Sequence, residues 1–274
     1  MLNLKRVPVS AWIGLILTSL FVICALFAPW LAPNGNGEIV GDVWEPMSSA
    51  YWLGTDNLGR DLLSRMIYGA RTTIFIAGMA TALSFSLGAI LGFAAAVVGG
   101  LVDMIVSGIV ELLMAIPTLI FALVVLSVLP STVATLILVM GILGSTRVYR
   151  LSRAVAADIN AMDFVEAAKL RGEKLAWIIF REILPNALSP LVAELGLRFI
   201  FSVLFLSALS YLGLGVQPPE ADWGGMVKEN TDGIIFGVPA ALIPAAMIAA
   251  LAISVNLVAD WILTRTTSLK GGHD

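Results

Sequence analysis

Nothing charged occurs between Thr72 and Val102, and from Met104 to Thr146 the only charge is Glu111. About 20 apolar residues in helical form cross the hydrocarbon core of a bilayer, roughly 30 Å thick, so runs of this length decide the solvent in which the chain folds. Composition agrees: 59% of the residues are hydrophobic and 13% charged, against about 45–50% and about 25% in a soluble domain. The mean hydropathy is +0.95. A water-soluble fold of 274 residues could not hide that much apolar surface, and the chain reads as an all-α polytopic membrane protein.

Charge-free runs of at least about 18 residues predict six transmembrane helices in one domain, 1–274. They lie near 12–32, 73–98, 104–128, 132–149, 187–212 and 238–263. The first is longer than the apolar region of a signal peptide and no A-x-A site follows it, so it reads as a retained helix. Pro130-Ser131 divides the long third run into two crossings, and Pro117 is expected to kink the first of these. With both ends inside, the inner segments carry eleven Lys and Arg: Lys5, Arg6, Arg147, Arg150, Arg153, Lys169, Arg171, Lys174, Arg181, Arg265 and Lys270. The outer ones carry four, Arg60, Arg65, Arg71 and Lys228. That asymmetry predicts N-in and C-in.

Several function classes fall away. The one cysteine, Cys24, lies in an apolar run and the one histidine, His273, in a polar tail, which argues against Cys/His metal sites, CxxC redox chemistry and a Ser/His/Asp triad. No catalytic or metal-ligating set is expected. A net charge of −3 offers no basic surface for nucleic acid. No G-x-x-x-x-G-K-[ST] loop occurs, so any ATP must be bound by another chain.

Within the second span Ser84, Gly88, Gly92 and Ala96 recur every four residues, a smooth stripe that lets helix backbones approach closely or lines a pore. Leu53 to Arg71 reads as an amphipathic helix at about 55–69, with Leu58, Leu62, Leu63, Met66 and Ile67 on one face. Asp56 with Arg60 and Asp61 with Arg65 are i,i+4 pairs on it. Thr55 or Asp56 could cap its start and Gly69 end it. It would lie along the outer interface, as a solvated collar or as a dock for an external partner.

Glu194 and Arg198 stand one turn apart inside the fifth span, where a lone charge costs about 2.5–3.5 kcal/mol; they are a structural pair or part of a solute path. Glu111, Asn256 and Asp260 read as groups that hydrogen-bond between helices.

The inner loop, about 150–186, carries the clearest pattern. Helix formers run to Arg171, Gly172 can adopt the left-handed turn conformation, and helical spacing resumes at Leu175 and ends at Pro185. Ala167 and Ala168 leave room for a neighbour and Glu166 places a charge beside them. Glu166-Ala167-Ala168, then Gly172, with Leu184-Pro185 closing the second helix, resembles the EAA loop of bacterial ABC importer permeases. The Ile183-Leu-Pro-Asn186 spelling, with Glu182 where the general pattern has Ile, resembles the dipeptide, oligopeptide and nickel branch. So does the outer motif from Leu53 to Arg65, with Gly54, Asp56, Gly59, Arg60, Asp61 and Arg65, and so does Ser210 to Gly224.

The resemblance implies one permease subunit of a five-part importer. Its partners would be a second homologous permease, two cytoplasmic ATPase subunits that bind ATP and Mg, and an extracytoplasmic solute-binding protein, all at the bacterial inner membrane. This chain would bind no cofactor and catalyse nothing; the solute would be a di- or oligopeptide, with nickel or another small solute as the alternative. A secondary transporter or channel working alone, and an intramembrane enzyme, are the competing classes. The first would show related broken helices in two halves, and the second a catalytic constellation.

Overall fold

The computed structural model describes residues 8–268, with side chains from 8 to 264. Lys5, Arg6, Lys270, His273 and the side chain of Arg265 lie outside the described residues. Helix α1 (Val9–Leu26) and the short α2 (Ala28–Leu31) are followed by an irregular segment and then by α3 (Leu62–Val98). Next come α4 (Gly100–Ala115), α5 (Thr118–Val128), α6 (Val133–Asn160) and α7 (Asp163–Leu170). A single turn α8 (Leu175–Trp177) runs through a π segment, Ile178–Ile183, into α9 (Leu184–Tyr211), and α10 (Trp223–Asn230) precedes α11 (Leu242–Ser268). Among the described residues there is no strand, only two isolated bridges, Ile39 with Arg60 and Thr55 with Asp61.

Local chemistry sets the helix ends. Asp61 caps α3 by accepting from the Ser64 amide at 3.0 Å, and Thr132 caps α6 by accepting from Thr135 at 3.2 Å, each satisfying an orphan amide. Gly99 closes α3 at φ +63°.

The bundle is organised around α3 and α6, which pack along most of their length. The stripe of small residues is the reason. A methyl group on Gly88 would lie 2.6 Å from Val148 Cβ and 2.7 Å from the Ser145 carbonyl, and one on Gly92 2.7 Å from the Tyr149 carbonyl. Ser84 Oγ donates to the Gly141 carbonyl at 3.0 Å, and the Ala96 carbonyl accepts from Asn160 Nδ2 at 3.3 Å. The stripe is therefore a helix contact from end to end. Helix α9 packs on α3, α6 and α11, and α1 on α3 and α11.

Five helices are long and apolar enough to cross a bilayer, and α4 with α5 adds a sixth if that bent pair counts as one span. The span expected at 104–128 is this bent pair, broken at the Pro117 where a kink was expected. The two pieces meet at 88°, because Pro117 drives Ile116 into extended backbone (φ −91°, ψ 131°). At 1.5 Å per residue α4 is about 24 Å long and α5 about 17 Å, so neither alone spans the hydrocarbon.

Two further expectations need revision. No separate amphipathic helix occupies 55–69: residues 54–61 are irregular and α3 starts at Leu62 and passes Gly69 without a break. Gly54 and Gly59 hold left-handed backbone at φ +77° and +74°, and a side chain on either would collide with the Glu45 or Gly41 carbonyl. Pro185 does not end the helix that follows Gly172 either; it sits in the first turn of α9. The π segment just before it widens the backbone where the proline ring would otherwise press on the carbonyl four residues back.

Gly88→Val should destabilise the protein by about 1–3 kcal/mol through overpacking. Gly78→Ala, with nothing within 4 Å of the added carbon, should be neutral or stabilise by up to about 1 kcal/mol. Thermal unfolding in detergent, followed by tryptophan fluorescence, compares the two.

Candidate functional site

The conspicuous charges of the first irregular segment are buried at the start of α3. Asp56 Oδ2 accepts from Arg60 Nε at 2.7 Å and from an Arg65 guanidinium nitrogen at 2.6 Å. Both arginines also reach Glu229 Oε2 on α10, at 2.8 and 2.5 Å. Asp56 and Arg65 are 0% and 1% exposed, so the network is buried at its centre and reaches solvent only through Glu229. The i,i+4 pairing of Asp61 with Arg65 does not occur: Asp61 caps α3 and Arg65 turns to Asp56. Burial would raise the Asp56 pKa, but amide donors from Arg60 and Leu58 and the charges of Arg65 and Arg60 outweigh it and hold the carboxyl below its ordinary value.

The segment from Ser210 to Gly224 meets the same place. Trp223 is buried, donates from Nε1 to the Met66 carbonyl at 3.0 Å and stacks edge-on with Phe21. Asn230 accepts from Trp44 Nε1 at 3.2 Å and from the Asn57 amide at 3.0 Å. Asp222 caps α10 through the amides of Gly224 and Gly225. Its burial, with a weaker push from the Glu229 charge, raises its pKa to about 6 against donors from Ser210, Gly225 and Gly224.

At the opposite end of α3 and α6, helix α7 and the turn after it form a corner. Gly172 holds φ +80° with nothing within 4 Å of where a side chain would start. Ala168 is buried against the bundle, whereas Glu166 and Ala167 face outward. Leu170 is 83% exposed. Leu184 packs beside Ile183 and Ala187, and Pro185 is exposed.

Inside the bundle, Arg198 Nε lies 2.5 Å from Glu194 Oε1. The Arg198 guanidinium sits 4.7 Å from the centre of the Phe201 ring and that of Arg147, on α6, 5.5 Å from it. Glu111 is exposed on α4 and shares a depression with Tyr149 and Arg150. Asn256 Nδ2 donates to Asp260 at 3.1 Å within α11, so among the described residues this pair is joined along one helix. The charge that fastens α4 to α6 is Asp103, paired with Arg153, and beside it the Ser107 and Tyr149 hydroxyls lie 2.8 Å apart. The sequence reading missed Glu229, Asn230, Asp103 with Arg153, and the Arg147 and Phe201 pair.

Two expectations follow. Arg65→Ala leaves Asp56 buried without its closest cation and should cost about 3–5 kcal/mol, more than Glu229→Gln, whose carboxylate is 22% exposed; denaturation in detergent ranks them. Asp222 has a folded pKa above the ordinary 3.8, so the folded state holds its proton more tightly. Its contribution is fully present below about pH 4 and is lost as pH rises through about 6. The hydrogen-exchange protection of 223–230, corrected for intrinsic rates, should fall over that window, and Asp222→Asn should flatten the fall. Asp56, with a lowered pKa, acts below that window: its contribution is lost as the solution is acidified past 3.8.

Comparison with known proteins places these features. The family model described as "Binding-protein-dependent transport system inner membrane component" matches residues 84–268. The di/tripeptide transport system permease protein DppC of Pseudomonas aeruginosa (strain UCBPP-PA14) is 33% identical over 90% of this chain and 84% of its own. The oligopeptide transport system permease protein OppC of Bacillus subtilis (strain 168) is 32% identical over 91% and 82%. A crystal structure of an amino acid ABC transporter with histidines shares the fold, with a TM-score of 0.53 at 19% identity over 76% of this chain and 94% of that one. With a family match from the small-residue stripe to the end of α11 and relatives similar along nine-tenths of its length, the chain belongs to the inner membrane components of binding-protein-dependent transport systems.

Proposed function

We propose that this ABC importer permease carries di- or oligopeptides and supplies half of their path, the other half coming from a second, homologous permease. The observation that carries the solute class is the pair of peptide permeases, each about a third identical over nine-tenths of the chain. Two cytoplasmic ATPase subunits, which bind the ATP and Mg, and an extracytoplasmic solute-binding protein complete the assembly. Hydrolysis belongs to the ATPases and this chain performs none. The excess of Lys and Arg around α7 supports an N-in, C-in orientation. That orientation turns the α7 corner to the cytoplasm and the Asp56 network to the binding protein.

The coupling contact is then α7 with the turn behind it. Leu170, exposed at its tip beside Glu166 and Ala167, is an apolar side chain awaiting a partner surface. Leu175–Tyr211 runs from that corner through the membrane as one helical unit, so displacement of α7 by closing ATPases is delivered to the path.

Gly172→Val tests this without a steric clash, since the site is open; a β-branched residue at that φ costs about 1–2 kcal/mol and shifts the corner. In proteoliposomes with all partners, this mutant and Glu166→Lys should lose peptide uptake and the stimulation of ATP hydrolysis by loaded binding protein, while docking of that protein persists. Normal uptake and stimulation in both mutants would refute the coupling role.

A further inference from the structure

The charges of Arg147 and Arg198 do not balance. Arg147 lies 14 residues past Val133 on α6, and Arg198 lies 13 residues before Tyr211 on α9. These two helix ends pack together through Leu136 and Leu209, so both arginines stand about 20 Å along their helices from one end of the bundle, within the hydrocarbon thickness. Glu194 answers Arg198 at 2.5 Å. Arg147 is exposed and, among the described residues, has no carboxylate within 4.0 Å; its contact is the face of Phe201. Two guanidiniums on one ring with one carboxylate leave a net positive charge.

A lone arginine facing lipid costs about 2.5–3.5 kcal/mol at a helix centre and less toward its ends, and Arg147 shares a cavity with Arg198, so this face of α6 is turned to something polar. Beside it is a cavity of about 130 Å³, its wall mainly apolar through Met140, Leu143 and Phe205, in which both arginines stand with Ser84 and Ser202. The cavity has room for a carboxylate and the atoms next to it. Guanidinium matches carboxylate in geometry as well as charge, through two parallel hydrogen bonds.

We infer that Arg147, backed by Arg198 and held over Phe201, is a carboxylate-binding station on the solute path that takes the C-terminal carboxylate of the passing peptide. This rests on the peptide reading above. Glu194 holds Arg198 in place and leaves Arg147 free for the solute.

The test uses the assembled complex of both permeases and both ATPases in nanodiscs, without binding protein, so that the solute meets the path alone. Radiolabelled alanyl-alanine should bind wild type about tenfold more tightly than its C-terminal amide, the worth of one charged hydrogen-bond pair. Arg147→Gln should remove that preference and weaken binding of the free acid to the level of the amide, and Arg147→Lys should restore part of it. The inference falls if wild type binds acid and amide equally, or if Arg147→Gln leaves the preference intact. It falls also if Arg147→Gln no longer copurifies with the second permease, because Arg147 is then a subunit contact. In the complete importer, import of alanyl-alanine by wild type and equally by Arg147→Gln would overturn the station and leave the peptide reading standing. Failure of wild type to import any peptide would overturn both.

Discussion

A backbone amide in hydrocarbon has no water to turn to, and the long helices of this chain are built to that constraint. The long rods α3, α6, α9 and α11 satisfy their own amides, and the small residues between α3 and α6 bring two such rods into contact without leaving polar groups stranded. Where the ladder is broken, at Pro117 and before Pro185, the break has a local cause in the proline ring. The irregular segment before α3 pairs its backbone with itself: the Gly59 carbonyl accepts from the amides of Val40 and Gly41, and the Asp56 carbonyl from that of Trp44.

Charge follows the same economy of place. The two arginines that reach Asp56 share it with Glu229, so three charged groups are withdrawn from water behind a fourth that stays partly wet. Removing one member costs more than the network as a whole contributes, because a buried ion without its partner keeps its desolvation penalty. Such a group serves better to fix one arrangement of the chain than to raise its stability. Inside the bundle the balance is different, and the surplus positive charge near Phe201 is the departure that points toward the solute.

Much of this was legible in the sequence because it is periodic. The apolar runs identify the long helices, and the four-residue spacing from Ser84 to Ala96 marks the face on which α3 meets α6. The α7 corner was readable because Gly172 is a local signal. What escaped reading was set by distant partners. Asp56, Arg60 and Arg65 fall at helical spacing, and only Glu229, more than 160 residues away, together with the left-handed glycines at 54 and 59, makes them a folded turn. Arg147 looked like one of many inner-loop cations because nothing nearby in the chain shows that it shares a ring with Arg198. Pro185 misled for a related reason: a helix can pass a proline if a π segment relieves it, and no residue type announces that segment.

The buried Asp56 network has a mechanical side. Through Glu229 and Trp223 it joins the start of α3 to α10, and α10 in turn sits on α9 and α11, where a methyl on Gly224 would lie 2.5 Å from Ser207 Cα. Three long rods are thus clamped at one end by a plate that cannot stretch without exposing a buried ion. Rods clamped at one end can spread only at the other, as the arms of a pair of tongs do. On the coupling proposed above, the clamped ends would act as the pivot and the α7 corner would lie at the tips of the arms, where a small push has the longest reach.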